Sequence, residues 1–202
     1  MKKSGQSPKR RQILDAAVKV FAKNGFYNSK VLDIAKEADV ANGTVYLYFP
    51  SKDDILISIF EEQMGELIEY IKREIQKESG SLNKLRKLVS MQMHLIETNS
   101  DLTELLLVEL RQSKKFLQSN ATDMMSKYID MIGNILKEGI AEGVIDKSVD
   151  VTIVGTMLFS AVEGLATRWI LEGASYSLDR AADTVIKVFL NGIKEKTEGG
   201  DN

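Results

Sequence analysis

Apolar residues recur along the chain mainly at three- and four-residue spacing, which is typical of helices that bury one face. Prolines occur only at Pro8 and Pro50, and runs of alternating β-branched residues are few. The pattern therefore predicts an all-α protein with nine helices joined by short loops. We place these helices at about 8–24, 30–38, 42–48, 52–78, 82–98, 101–118, 121–142, 150–172 and 178–196.

The segment 31–48, VLDIAKEADVANGTVYLY, has the layout of a helix-turn-helix, with two short helices separated by three or four residues. Asp39 stands in the turn, where a left-handed backbone is common and Asp is tolerated. We expect Asn42 to cap the second helix, because an Asn side chain can accept the free N–H groups of a first turn. The expected shared core consists of Ile34, Ala35, Val40 and Val45.

The second of these helices carries side chains suited to DNA. Gly43 allows close approach of a DNA backbone, and hydroxyl groups at Thr44, Tyr46 and Tyr48 can donate to phosphate oxygens. The methyl group of Thr44 can also contact thymine. Ser51 is expected to cap the fourth helix, whose N-terminus together with Lys52 would attract phosphate. The predicted DNA-contact set is Lys30, Asn42, Gly43, Thr44, Tyr46, Tyr48 and Lys52, with further backbone contacts from Lys9, Arg10 and Arg11.

Charge is divided unevenly along the chain. Residues 1–50 hold nine Lys or Arg against four Asp or Glu, a net of +5, whereas residues 51–202 carry a net of −7. We call residues 1–50 the head and residues 51–202 the body. A basic head joined to an acidic body favours a polyanion as the partner of the head. From the pattern alone, a plain helical hairpin with core aromatics at Tyr46 and Tyr48 remains the alternative.

Enzymes, metalloproteins and membrane proteins are disfavoured. The chain has no cysteine, and its single histidine, His94, has little beyond Glu97 near it in sequence. A catalytic or metal-bound histidine needs positioned companions, so we expect no catalysis, no metal site and no cofactor. No apolar stretch has the length of a membrane span, and no signal-peptide run follows the basic N-terminus. We therefore expect a cytoplasmic protein.

The run GFYNSKVLDIAKEADVANGTVYLYFPSKDDIL, residues 25–56, closely resembles the DNA-binding domain of the TetR/AcrR family of repressors. The matching motifs are GF, IA-x-x-A, V-x-x-GT-x-Y-x-YF and SK-x-x-L. Asp39 stands where the family commonly has Gly, and Lys30 where it commonly has Thr. The resemblance implies a TetR-like fold and a homodimer that binds a near-palindromic double-stranded DNA operator, with one recognition helix in each major groove. A non-DNA-binding helical interaction protein and an enzyme remain distant alternatives.

The last two predicted helices are apolar on more than one face, so they need two packing partners. One face can pack the domain and the other a second subunit, with Ala161, Gly164 and Ala166 allowing close approach. The resemblance likewise implies a dimer interface at about 150–172 and 178–196. We expect residues 1–52 to form the DNA-binding domain and residues 53–202 the ligand-binding and dimerisation domain, connected by the helix at about 52–78.

The body contains many apolar residues and several methionines, which can line an adaptable pocket or simply fill a core. Arg111 follows the apolar stretch LTELLLVEL and is either an ion-pair partner of a carboxylate or a polar handle for an anionic ligand. The runs YLYFPSKDDILISIFEEQMGELIE and VELRQS resemble a TetR subgroup that represses fatty-acid-degradation genes in bacilli. That resemblance implies a long-chain acyl-CoA effector, which binds the body and releases the protein from DNA.

The acyl chain would need an apolar tunnel, and the CoA phosphates would need cations at its mouth. The predicted ligand-contact set is Met93, Leu106, Glu109, Arg111, Lys114, Met125, Tyr128 and Trp169. The alternative is a repressor of an efflux pump that senses hydrophobic or cationic drugs, for which Glu109, Glu163 and Trp169 would serve the cation.

Overall fold

The computed structural model of this 202-residue chain describes residues 7–109, 114–117 and 122–194. Within that part of the chain it is helical, apart from turns and one isolated antiparallel bridge between Ile145 and Lys194, so the all-α prediction is confirmed. The helices are α1 (Pro8–Asn24), α2 (Val31–Glu37), α3 (Asn42–Tyr48), α4 (Lys52–Ile75), α5 (Ser81–Thr98), α6 (Ser100–Glu104), α7 (Lys114–Leu117), α8 (Thr122–Ala141), α9 (Val151–Leu171) and α10 (Leu178–Ile193).

The predicted helix at 101–118 differs most from the structure. Its described residues form α6, then a π-helical segment at Leu105–Glu109, then the single turn of α7. A π-helical turn holds an extra residue, and such turns are frequent at functional sites. The fourth helix also ends earlier than predicted, at Ile75. Beyond it the backbone tightens, because the Lys77 and Glu78 N–H groups bond carbonyls three residues back instead of four.

The chain forms two compact units. The first contains residues 1–65 and 101–122, and the second contains residues 66–100 and 123–202. The first unit therefore extends past residue 52, where we predicted the end of the DNA-binding domain. Whether function divides at residue 52 stays a prediction.

In the first unit, α1 packs on α2 and α2 packs on α3, and the start of α4 adds buried apolar side chains to a largely apolar core. The core side chains include Ile13, Ala17, Phe21, Phe26, Ile34, Val45, Ile55 and Leu56. Gln12 ties α1 to the end of α2, since its Nε2 donates to the carbonyl oxygen of Ala38 at 2.7 Å. Burial of this core determines the orientation of α3, because α3 itself has few apolar side chains to bury.

In the second unit, α5 lies against both α9 and α10. The beginning of α5 is fastened by Glu142, whose Oε2 accepts from the backbone N–H of Ser81 at 3.0 Å and from its hydroxyl at 2.6 Å. Gly139 makes this close approach possible, because a Cβ there would lie 2.7 Å from the Ser81 hydroxyl and 2.5 Å from Ile145. The unit therefore has a sterically fixed corner between α5 and α8.

Candidate DNA-contact surface and effector region

The turn between α2 and α3 has the predicted geometry. Asp39 adopts φ 49°, and the Val40 N–H returns to the Ala35 carbonyl at 3.0 Å. Two details of the prediction are wrong. Val40 is only half-buried, and Ala38 is buried instead. Asn42 does not cap α3, because the extended residue Ala41 precedes the helix and its carbonyl accepts the Thr44 N–H at 2.8 Å.

One residue of α3, Val45, faces the core and is fully buried. At about 100° per residue, Gly43 and Leu47 lie roughly 160° and 200° around the helix from Val45. They are therefore neighbours, one turn apart, at the centre of the outward face. Tyr46 lies on one side of this pair, with half of its surface exposed, and the half-buried Thr44 lies on the other.

Gly43 has no structural reason to be glycine. A Cβ built at this position meets no atom within 4 Å, and its backbone lies in the ordinary helical region. An alanine there would favour the helix. The space in front of Gly43 is thus kept open on the face where we predicted DNA.

Leu47 was missed by the sequence reasoning. It is 83% exposed, the largest fraction among the large apolar side chains that the structure describes as exposed. The signal was present in the sequence, because Leu47 follows Gly43 by four residues and so shares its helix face.

Tyr48 is half-buried, and its hydroxyl lies 3.2 Å from the Ser7 hydroxyl. Phe49, which follows α3, is buried, and the guanidinium of Arg10 lies 5.2 Å from the centre of its ring. Arg10 also forms an ion pair with Glu62 of α4. Its guanidinium thus holds the end of α3 against α1 and α4. This role differs from the phosphate contact that we predicted for Arg10.

Lys52 is the clearest difference between prediction and structure. Its Nζ donates to three carbonyls of the loop between α1 and α2, Phe26 at 2.6 Å, Tyr27 at 3.1 Å and Ser29 at 2.9 Å. It also lies 4.5 Å from the centre of the Phe26 ring. An ammonium has three donors, so this arrangement uses all of them inside the unit. Lys52 clamps the loop, and a phosphate would have to compete with these carbonyls.

Ser51 caps α4 as predicted, because its hydroxyl accepts the Asp54 N–H at 3.3 Å. Lys30 is exposed, and its N–H donates to the Asp33 carboxylate at 3.2 Å at the start of α2. Its ammonium group is available on the surface near the helix-turn-helix. Of the predicted cations, Lys30 therefore fits a phosphate contact better than Lys52.

Segment 101–117 contributes to the first unit through α7. Lys115 forms an ion pair with Asp54 at 2.6 Å, and Phe116 packs edge-on against Phe60 with ring centres 5.2 Å apart. Burial opposes ionisation of Asp54, but hydrogen bonds from Lys115 and Ser51 outweigh it and hold the pKa of Asp54 below its ordinary value. The part of this segment that forms α7 is thus bonded to the N-terminal part of α4.

The predicted effector residues fall in both units. Leu106 is half-buried in the π-helical segment of the first unit, whereas Met93, Met125, Tyr128 and Trp169 belong to the second. Arg111 and the side chains of Glu109 and Lys114 lie outside the residues that the structure describes.

Met93 and Tyr128 are completely buried in the second unit. The Tyr128 hydroxyl donates to Gln92 Oε1 at 2.5 Å, and its ring lies 5.6 Å from that of Phe159. Burial raises the pKa of Tyr128 well above its ordinary value. Tyr128 is therefore a neutral phenol whose one donor hydrogen is bonded to Gln92, and its ring contributes to the apolar interior of the second unit.

Trp169 is buried, and its indole N–H donates to the Tyr176 carbonyl at 2.9 Å. Tyr176 in turn donates its hydroxyl to the Leu165 carbonyl. This pair fastens the α9–α10 loop to the end of α9. The structure thus gives Trp169 a loop-anchoring contact, and its predicted role toward a ligand stays a prediction.

The outer faces of α9 and α10 are apolar and exposed in the single chain. The exposed side chains are Ile153, Met157 and Leu171 of α9 and Val188 of α10. Gly164, between Met157 and Leu171, has open space around it. Large exposed apolar faces of this kind mark association surfaces, and these are the two helices for which we predicted the dimer interface.

Within the residues that the structure describes, no helix is long and apolar enough to cross a membrane, and no group of His, Cys, Asp or Glu side chains is arranged to hold a metal ion.

Two families match the chain over almost its whole described length. Residues 13–59 match the family described as bacterial regulatory proteins, tetR family, and residues 60–192 match the YsiA-like protein, C-terminal region. The chain belongs to the TetR family of DNA-binding transcriptional regulators, which bind operator DNA as dimers. The predicted family and TetR-like fold are confirmed.

The chain is similar to regulators of fatty acid metabolism. The fatty acid metabolism regulator protein of Bacillus subtilis (strain 168) is 37% identical over 189 residues, 94% of this chain and 97% of that protein. The crystal structure of FadR from Bacillus subtilis in complex with stearoyl-CoA matches with 36% identity and a TM-score of 0.83, covering 91% of this chain and 98% of that one. The fatty acid degradation regulator FadR from Bacillus halodurans matches with 32% identity and a TM-score of 0.85, covering 94% and 98%.

Proposed function

We propose that this protein represses fatty-acid-degradation genes and is released from its operator by long-chain acyl-CoA. The observation that carries the proposal is the similarity to FadR in complex with stearoyl-CoA, which extends over 98% of that chain and so includes the whole effector body. The apolar interior around Met93 and Tyr128 supports it, because an acyl chain needs apolar walls.

The DNA-contact surface that we propose is the outward face of α3, with Gly43 at its centre and hydroxyls from Thr44, Tyr46 and Tyr48 beside it. Lys30, together with Asn42 at the start of α3, extends this surface. Lys52 supports it by holding the loop before α2 in place. The basic charge of residues 1–50 supplies the salt-dependent attraction to phosphate that any such surface needs.

For the effector, we propose as ligand contacts Met93, Met125, Tyr128 and Trp169 of the second unit and, separately, Leu106 of the first. Met93 is fully covered by protein atoms, so an entering chain must displace its neighbours. Unbranched thioethers refit at low cost, which suits Met93 and Met125 to this role. Arg111 and Lys114 are proposed to bind CoA phosphates, and Glu109 to pair with Arg111.

Release follows if acyl-CoA binds more tightly to a dimer geometry whose recognition helices no longer match successive major grooves. The ligand then shifts a population, and the shift is limited by its differential affinity for the two geometries. Specific binding by a dimer requires half-sites about one helical turn, roughly 34 Å, apart. A small change in the separation of the two α3 helices therefore weakens binding of both half-sites together.

The test measures fluorescence anisotropy of a labelled operator duplex, obtained by selection from random DNA. We expect palmitoyl-CoA to release the duplex. Free CoA, palmitoylcarnitine and tetraphenylphosphonium are expected to leave it bound. Free CoA lacks the acyl chain, palmitoylcarnitine carries the acyl chain without the CoA phosphates, and tetraphenylphosphonium is a lipophilic cation with neither. Release by tetraphenylphosphonium alone would instead favour a drug sensor, and no response to palmitoyl-CoA would end the fatty-acid proposal.

Arg111→Ala is the informative variant. We expect about tenfold more palmitoyl-CoA to be needed for release, since a hydrogen bond to a charged group contributes about 1.5–3 kcal/mol. Operator affinity without ligand should not change. Lys127→Ala removes an exposed cation of α8 and serves as the matched control. Equal sensitivity of the two variants would remove Arg111 from the proposed site.

The remaining parts of the proposal follow from the regulatory role. Residues 1–52 recognise DNA, and residues 53–202 bind the effector and dimerise. The protein catalyses no reaction and needs no cofactor beyond its effector, in keeping with relatives that are regulators. A repressor acts where the chromosome is, so we place it in the cytoplasm.

A further inference from the structure

Leu47 is an unexplained apolar side chain on the proposed DNA-contact surface. It is 83% exposed although it sits on a helix that has a core to pack against. Val45 of the same helix fills that core completely, so Leu47 adds nothing to folding of the unit. Replacing this exposed leucine by a polar residue would therefore leave the stability of the unit unchanged.

The geometry places Leu47 at the centre of the surface that meets DNA. It lies one helical turn after Gly43, on the side opposite Val45, and a helical side chain leans toward the preceding turn. A Cβ built at Gly43 meets no atom within 4 Å, the Leu47 side chain included. Leu47 and the open space at Gly43 therefore lie side by side on the same face of α3.

The neighbours of Leu47 indicate which partner covers it. The half-exposed Tyr46 and the Thr44 hydroxyl flank it, and the surrounding head is basic. A protein partner would be expected to meet a wider apolar patch, whereas the other exposed residues of α3 are Asn42, Gly43 and Tyr46, whose side chains are polar, absent and tipped by a hydroxyl group. In the DNA major groove the one apolar group on base edges is the thymine C5-methyl.

We propose that Leu47 reads the C5-methyl group of a thymine in each operator half-site and so determines sequence preference at that base pair. The inference rests on the proposed orientation of α3 toward DNA. It adds an apolar contact to a surface whose other side chains offer hydroxyl groups.

The test removes single methyl groups from DNA. Each thymine of the selected operator is replaced in turn by deoxyuridine, which pairs identically and lacks only the methyl group. Burial of one such group contributes about 0.8 kcal/mol. We therefore expect the protein to lose about fourfold in affinity when the contacted thymine is replaced in one half-site, and about fifteenfold when both are replaced.

Leu47→Ala completes a double-mutant cycle. We expect this variant to fold normally, to bind the unmodified operator about fifteenfold more weakly, and to be insensitive to deoxyuridine at the contacted position. Leu47→Met, which keeps an apolar side chain of similar reach, should restore most of the sensitivity.

Four results would overturn the proposal. Binding of the operator by Leu47→Ala as tightly as by the original protein would assign Leu47 to another partner. No response to deoxyuridine at any thymine position would show that no methyl group is read, and an equal loss in both proteins would show that another residue reads it. Failure to select any duplex would instead reject the proposed DNA-contact surface and Leu47 with it.

Discussion

Replacing Gly43 by alanine should make the protein more stable and a weaker DNA binder. The substitution adds one methyl group at the centre of the outward face of α3. Inside the protein this methyl group meets no atom within 4 Å, so it introduces no clash. The two expected effects thus have separate origins, one in the free protein and one in the complex.

The gain in stability comes from the backbone. Glycine in a helix interior costs about 0.8–1 kcal/mol relative to alanine, and Gly43 lies at the second position of a seven-residue helix, where the cost is smaller. We expect about 0.5 kcal/mol of added stability, or a rise in Tm of roughly 1–2 °C for a protein of this size.

The loss in affinity comes from a greater distance between α3 and the DNA duplex. A methyl group facing the duplex moves α3 outward, which lengthens the bonds from Thr44 and Tyr46 to phosphate. Each such bond contributes about 1 kcal/mol. Loss of one bond in each half-site corresponds to roughly 2 kcal/mol for the dimer, or about thirtyfold in Kd.

Thermal unfolding followed by circular dichroism and operator titration at fixed salt provide the two measurements. Asn134→Ala is the matched control, because it also replaces a poor helix former on an exposed helix surface, in α8 of the second unit. It should raise Tm without changing Kd. If Gly43→Ala bound the operator as well as the original protein, the open space at Gly43 would not face DNA.

Further predictions concern other contacts. Lys52→Met should destabilise the protein by about 1–3 kcal/mol in urea denaturation, because three carbonyls lose their shared donor, whereas Lys23→Met at the exposed end of α1 should not; equal stabilities would refute the clamp. Met157→Glu should produce a folded monomer in sedimentation, since it places a charge on the outer face of α9, and an unchanged dimer would refute that interface. Ser81→Ala should reduce the pH dependence of stability below about pH 4.5. In the folded protein the hydrogen bond from the Ser81 hydroxyl holds the pKa of Glu142 below its ordinary value of 4.5, so its stabilisation is full above that pH and is lost as pH falls through the lower folded pKa. Identical acid unfolding of the two proteins would show that this bond is not formed.

Periodicity predicted the helices well because each buries one apolar stripe, and burial determines both the structure and the pattern. The turn at Asp39 was also predictable, since few residues tolerate its positive φ. The π-helical segment at Leu105–Glu109 was not, because one extra residue in a turn leaves no mark in a run as uniformly apolar as LLLV.

The sequence predicted which residues lie at the proposed DNA-contact surface better than it predicted what each of them does there. A lysine after Ser51 fits a phosphate contact in the sequence, yet Lys52 meets carbonyls of residues 23 to 26 positions earlier, a contact that only the fold brings about. Leu47 was overlooked for the opposite reason. A leucine in an amphipathic helix is expected to be buried, and only the position of Val45 shows that this one is not.

The contacts of α7 have a consequence for exchanging parts between members of the family. Phe116 covers Phe60, and Lys115 neutralises Asp54, so a stretch near the middle of the chain completes the fold of the DNA-binding end. A hybrid that joined this recognition region to the body of a relative at residue 65 would separate each pair. Such a hybrid needs compatible residues at positions 115 and 116, and relatives that already carry a cation followed by an aromatic ring there are the suitable donors.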